Sequence, residues 1–191
     1  GWLTFQNWRQ PSMKLIILDQ NGVINQSSDT FIKSPEEWIP IPGSLEAMAR
    51  LTHSGYRIVI ATNQSGIGRG LMDMATYNAI NDKMHKAVNH AGGRIDAIFF
   101  CPHTNADQCT CRKPATGMYE EIMQRYGVNL KNIPTVGDSL RDLQAAAAVG
   151  ANPILVLTGK GQRTRTNKEI PANTQIFENL AMVVDTLVKH A

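Results

Sequence analysis

Four short stretches of this chain carry side chains that together could act on a phosphate ester. Asp19 follows an apolar run at residues 14–18 and opens the turn Asp19-Gln20-Asn21-Gly22. Thr62-Asn63-Gln64-Ser65-Gly66 follows a second apolar run at 57–61. Arg112-Lys113-Pro114 lies in a loop, and Gly137-Asp138-Ser139-Leu140-Arg141-Asp142 follows a run at 133–136. Mg²⁺ takes oxygen ligands, commonly one or two carboxylates with a phosphate oxygen. A lysine and a hydroxyl can hold the rest of that phosphate, and a carboxylate can attack phosphorus to give an acyl phosphate. Taken singly, each residue has a plainer use. Thr62 and Asn63 could be turn residues, Asp138 or Ser139 a helix cap, and Lys113 a solvated surface lysine. Their order at successive strand ends favours a joint role.

A second cluster has metal-site chemistry. Cys101-Pro102-His103 and Cys109-Thr110-Cys111 hold all three cysteines of the chain within one short loop. Three thiols and an imidazole match a closed Cys₃His zinc site, with reduced, unliganded cysteines as the alternative. An odd number of cysteines disfavours a structural disulfide in a cytosolic protein. The loop runs directly into Arg112-Lys113, so a metal clip there would fix the lysine. His53, His85, His90 and His190 have no such neighbours and read as ordinary surface or helix-face residues.

The elements that must position these groups alternate along the chain. Strands are expected at 14–18, 57–61, 95–100, 133–136, 154–157 and, weakly, 174–177. Helices are expected from Ser44 to Gly55, from an Asp73 cap to Gly92, at 117–126, at 140–149 and at 180–189. Such alternation predicts a doubly wound, mostly parallel α/β sheet. Open sheets of that kind place their ligands at the carboxyl ends of the strands, where Asp19, Thr62 and Asp138 would all emerge. A polar, proline-punctuated loop at 25–42 leaves no room for a large cap domain.

Length and composition bound the rest. The chain has 191 residues and a net charge of +3, a soluble domain's balance and too dispersed to suggest nucleic acid. No run approaches the ~18 apolar residues of a membrane span. Residues 1–12 fit no signal peptide and read as an extension before Met13, with one domain at 13–191. A cytoplasmic monomer acting on a small molecule is therefore expected.

The four stretches, in this order, resemble the motifs of haloacid dehalogenase superfamily phosphatases. The resemblance implies that Asp19 is the nucleophile, that Thr62 binds the transferring phosphoryl group and that Lys113 neutralises its charge. It also implies that Asp138 holds Mg²⁺ with Asp19 and the backbone carbonyl of Asn21, with Asp142 bracing the lysine or a metal-bound water. Zinc-loop members include D-glycero-D-manno-heptose 1,7-bisphosphate 7-phosphatases, which supply activated heptose for lipopolysaccharide or other surface polysaccharide, and histidinol phosphatases. The loop Asn63-Gln64-Ser65-Gly66-Ile67-Gly68-Arg69-Gly70, the pairs Lys113-Pro114 and Gly117-Met118, and the segment at 28–38 resemble the heptose group. By that resemblance Asn63, Gln64, Ser65, Arg69 and Arg112 would contact the substrate, a sugar phosphate. Arg69, Arg112 and Lys160 could hold a second phosphate, since arginine's planar fork suits that anion.

One position departs from the pattern. The superfamily has aspartate two residues after the nucleophile, where it protonates the leaving alkoxide and then activates water. This chain has Asn21, and an amide cannot trade protons near neutral pH. The loss of general acid–base help is worth about 10²–10⁴ in rate, so intact binding and impaired turnover are expected. An engineered Asp→Asn change, a natural variant that binds without catalysing, and a subgroup using another acid all fit the sequence.

Overall fold

The computed structural model describes residues 13–189; the extension at 1–12 and His190 lie outside the described residues. Six strands form one sheet: β1 (Leu15–Leu18), β2 (Arg57–Asn63), β3 (Ile95–Cys101), β4 (Pro134–Gly137), β5 (Asn152–Val156) and β6 (Gln175–Phe177). Their order is β3-β2-β1-β4-β5-β6, and every neighbouring pair is parallel. Parallel pairing fits the sequence, because strands covered on both faces read as continuous apolar runs rather than alternating ones. All four residues of β1 are buried.

Seven helices cover the sheet: α1 (Ser44–His53), α2 (Ser65–Gly68), α3 (Met74–His90), α4 (Gly117–Tyr126), α5 (Leu140–Ala148), α6 (Gly161–Thr164) and α7 (Leu180–Val188). Successive strand residues point to opposite faces, and β1 divides accordingly. Ile16 and Leu18 join a core with Met48, Leu51, Met84 and Val184 from α1, α3 and α7. Leu15 and Ile17 join a second core with Ile122, Ala145 and Ala146 from α4 and α5. The sheet is thus wound on both faces, and the chain changes direction between β1 and β4, where crossovers to opposite sides open a crevice.

Two local devices shape the approach to that crevice. Asp73 caps α3, its carboxylate accepting the N–H of Thr76 at 2.7 Å. The loop between β1 and α1 is pinned by Trp38, which is 1% exposed. Lys83 of α3 donates to the Trp38 carbonyl at 3.0 Å and to that of Pro35 at 2.7 Å. No cap domain intervenes among the described residues; this loop contributes Ser27, Ser28 and Phe31 to the wall of the cleft.

Candidate active site

Lys113 organises the site. It is 1% exposed, and its ammonium donates to Asp142 Oδ1 at 2.8 Å and to Asp19 Oδ1 at 3.3 Å. A buried ammonium is costly unless paired and hydrogen-bonded, and here two carboxylates supply that. Its backbone is held as well. Lys113 N–H donates to Asn63 Oδ1 at 3.0 Å, while Asn63 Nδ2 donates to the Lys113 carbonyl at 3.3 Å. The end of β2 therefore fixes the loop that carries the lysine.

The carboxylates are fixed in turn. Asp142, in the first turn of α5, accepts from the N–H groups of Asp138 and Ser139, both at 3.1 Å. Asp138 accepts the Lys160 N–H at 2.9 Å. Gly22 adopts φ 87°, a conformation costly for other residues, and a Cβ there would overlap the Asp138 carboxylate. Only glycine lets the β1 turn close so tightly over that acid. Oxygens of Asp19, Asp138 and Asp142 lie within 4.8 Å of one another. With Lys113 as the ammonium among them, full ionisation leaves two negative charges in excess, which suits a divalent cation bound by Asp19 and Asp138. Asp142 is engaged by the lysine and backbone and is left to brace them.

Charge crowding shows in the acidities. Burial, and then repulsion from Asp142, pushes the Asp19 carboxyl up to about 8. The same two causes push Asp138 up to about 7. Burial alone would lower Lys113, but Asp142 and then Asp19 outweigh it and hold the ammonium well above the usual lysine range. Burial would raise Asp142, and the attraction of Lys113 outweighs it and keeps that carboxyl low.

A cleft opens over this cluster. It is lined by Asp19, Asn21, Thr62, Asn63, Gln64, Ser65, Arg112, Asp138 and Asp142, with Ser27, Ser28, Phe31, Ser139, Arg141 and Lys160 completing the wall. Its volume is about 120 Å³, room for about four water molecules. That admits a phosphoryl group and leaves a larger remainder of the ligand at the rim. Thr62 is buried and accepts from Gln64 Nε2 at 3.2 Å. Asn21 turns its Oδ1 toward Asn25, whose Nδ2 donates at 3.0 Å; a carboxylate in its place would accept the same bond.

The cysteine loop stands beside the cleft. The sulphurs of Cys101 and Cys111 are joined as a disulfide, and Cys109 is a free thiol. The sequence disfavoured a disulfide, so this pairing departs from expectation. A disulfide does not account for the rest of the cluster. Cys109 Sγ lies 3.6 Å from Cys101 Sγ and 3.7 Å from Cys111 Sγ, close to the ~3.8 Å edge of a tetrahedron with Zn–S bonds of about 2.3 Å. A His103 nitrogen reaches within 4.8 Å of the Cys101 and Cys111 sulphurs. Arg112 N–H points at Cys109 Sγ at 3.4 Å, the kind of donor that stabilises a thiolate. With the Cys101–Cys111 bond reduced to two thiolates, the donor set fits a closed metal site.

Comparison with known proteins follows the same lines. Residues 110–183 match the HAD-hydrolase-like family model. The D-glycero-beta-D-manno-heptose-1,7-bisphosphate 7-phosphatase of Bordetella bronchiseptica is 57% identical over 94% of this chain and 100% of the relative. This chain belongs to the heptose-bisphosphate phosphatase family of haloacid dehalogenase-like hydrolases. The Pseudomonas aeruginosa member is 49% identical over 93% of this chain and 99% of its own. The crystal structure of the B. bronchiseptica enzyme, solved with magnesium and phosphate, superposes with a TM-score of 0.92, covering 94% of this chain and all of the other.

Within this family's frame, most of the sequence-predicted residues meet in one cleft. Arg69 does not line it. Its guanidinium sits over the ring of Phe31, 5.6 Å from the centroid. Lys160 is present but belongs to the Asp138 side through its backbone. Ser27 and Arg141 were not singled out from sequence, although Arg141 falls within the fourth motif; Ser139, read as a possible helix cap, closes a capping box with Asp142. His53, His85 and His90 take no part in the lining.

A pH signature follows. Asp19 and Asp138 hold protons in the folded, cation-free protein at about 8 and about 7, against 3.8 for the ordinary carboxyl. Their contribution to stability is complete below the unfolded value and is lost as pH rises through the folded ones. A divalent cation replaces those protons. The rise in melting temperature caused by magnesium should therefore grow from about pH 4 to pH 8; thermal melts with and without magnesium check this, and a pH-independent rise would contradict it.

Proposed function

We propose that this chain is a magnesium-dependent phosphatase acting on the 7-phosphate of D-glycero-D-manno-heptose 1,7-bisphosphate through an aspartyl-phosphate, with turnover impaired by Asn21. The observation that carries the reading is the buried Lys113 ammonium paired with Asp19 and Asp142, two acids that line a cleft sized for a phosphoryl group. The substrate is supported by the high identity to relatives bearing that activity in their names. The product would feed activated heptose for lipopolysaccharide or other surface polysaccharide.

Asp19 is the nucleophile: its carboxylate attacks phosphorus, and the sugar oxygen departs with the bonding pair. Thr62 orients the phosphoryl oxygens, and Lys113 neutralises their charge. Asp19, Asp138 and the Asn21 carbonyl would hold magnesium, which supplies further charge neutralisation when bound. The sugar oxygen needs a proton as it leaves, and the water that attacks the acyl phosphate must lose one. An aspartate at position 21 would do both. Asn21 holds the shape of that group without its proton chemistry. This favours a second reading, a sugar-phosphate-binding variant with vanishing turnover. Histidinol phosphate, a monophosphate, fits less well, because it gives the guanidiniums at the rim nothing to hold.

We also assign a structural zinc to Cys101, His103, Cys109 and Cys111 of the reduced protein, where zinc takes the place of the Cys101–Cys111 bond. The loop is short and largely polar, so a metal would replace the apolar core it lacks. With four protein ligands it would keep no open position for chemistry.

Two outcomes are expected. Asn21→Asp should raise steady-state turnover of the bisphosphate by at least about tenfold with little change in affinity. Equal turnover in the two proteins would show that proton transfer is not what this chain lacks. Protein purified under reducing conditions without chelator should carry about one zinc per chain, and stripping it should lower both the melting temperature and phosphate affinity. Elemental analysis finding no zinc would contradict the assignment.

A further inference from the structure

A chain of polar side chains links α3 to Thr62. Gln20, Thr62, Gln64 and Tyr77 are all buried. The Tyr77 hydroxyl donates to Gln20 Oε1 at 3.3 Å, and Gln20 Nε2 donates to Asn81 Oδ1 at 3.3 Å. Gln20 Oε1 also accepts from Gln64 Nε2 at 3.4 Å. The same Gln64 nitrogen donates to Thr62 Oγ1 at 3.2 Å. Apolar side chains would fill this space without the cost of burying four polar groups. The network therefore has a use that packing does not supply.

The direction of these bonds matters more than their number. An amide nitrogen carries two hydrogens and accepts nothing, and Gln64 spends both of its own on Gln20 and Thr62. The Thr62 hydroxyl has one hydrogen. Because its oxygen accepts from Gln64, that hydrogen turns away from the amide. Among the described residues it reaches the Asn63 carbonyl at 3.4 Å, long for a bond from a hydroxyl. A phosphoryl oxygen in the cleft offers a shorter, charge-assisted bond. The direction is fixed at the α3 end. Tyr77 gives its hydrogen to Gln20 Oε1 and Asn81 takes one from Gln20 Nε2, so Gln20 presents its oxygen to Gln64.

We propose that Gln64 is a positioning residue that aims the Thr62 hydroxyl hydrogen at the reacting phosphoryl group, with Gln20 and Tyr77 orienting the Gln64 amide. The inference rests on Thr62 as the phosphoryl contact and gives Gln64 a different part from the substrate contact its motif implies. Gln64 lines the cleft, but with both donors spent its amide keeps only an oxygen, which has nothing to offer a phosphate. Gln20 directly follows Asp19, so the network also ties the turn of the nucleophile to the end of β2. A donor aimed before the ligand arrives needs no reorganisation as charge develops.

A double-mutant cycle tests the proposal. Titration calorimetry with magnesium and inorganic phosphate would measure the parent chain, Gln64→Met, Thr62→Val and the two together, with thermal melts to confirm folding. Gln64→Met keeps the length and removes both donors; Thr62→Val keeps the shape and removes the hydroxyl. Thr62→Val should weaken phosphate about tenfold and Gln64→Met about fivefold, the sizes expected for a lost and a misdirected bond to an anion. In the Thr62→Val background, Gln64→Met should cost nothing further, whereas general damage to the loop would weaken phosphate in either background. Tyr77→Phe, remote from the ligand, should give a smaller loss that also disappears with Thr62→Val, and it carries the same cycle if Gln64→Met does not fold. Equal losses in both backgrounds, or no loss in either, would overturn the proposal. Unchanged phosphate affinity in Thr62→Val alone would instead overturn the reading of Thr62 as a phosphoryl contact, and this proposal with it.

Discussion

The site depends on one buried ammonium. Lys113 is the largest fully buried charged side chain among the described residues, and its charge is tolerable only because Asp142 and Asp19 flank it at hydrogen-bond distance. Removing either partner from such a buried arrangement leaves an uncompensated charge, a loss of about 3–5 kcal/mol in comparable cases. The arrangement constrains four elements at once. β1 delivers Asp19, the end of β2 grips the lysine backbone through Asn63, α5 presents Asp142 from its first turn, and the cysteine loop supplies the lysine. The cleft is what remains above that junction. Its excess of negative charge also explains why the acids are pushed toward neutral pH in the absence of a cation.

Much of this was legible in the sequence, for physical reasons that differ by element. β1, β2 and β3 are apolar runs bounded by polar turns, and their positions follow from burial on both faces. α3 was visible from its Asp73 cap and from Tyr77, Ile80, Met84 and Val88 at helical spacing, all buried. β5 was placed two residues late because Pro153 stands in it, and proline reads as a strand breaker. β4 was expected one residue early at both ends, because its pairing with β5 runs on to Gly137. The four-residue helices α2 and α6 are too short to show a period. β2 runs on through Thr62 and Asn63 because pairing with β3 continues to Cys101, a tertiary effect that local composition does not reveal.

The acids and the lysine were legible because their types and order leave few other uses. The rim was harder. Arg69 looked like a substrate contact from its loop; in the fold it stacks on Phe31, which lines the cleft in a left-handed conformation at φ 65°. Arg141 is one basic residue on a helix, and only the fold brings it to line the same cleft as Arg112. Asn105 gives no signal in sequence at all; its hydrogen bond from Arg112 Nε appears only in the fold.

The central claim is that Asp19 accepts phosphoryl groups while Asn21 cannot release them. An aryl phosphate separates the two steps, because its leaving group departs without needing a proton. Intact-mass spectrometry of the chain incubated with magnesium and an aryl phosphate is therefore the most direct test. The account predicts protein bearing one phosphoryl group, mapped to Asp19, that persists far longer in this chain than in Asn21→Asp. Release of the aryl alcohol with no phosphorylated protein, or phosphorylation at a residue other than Asp19, would contradict it.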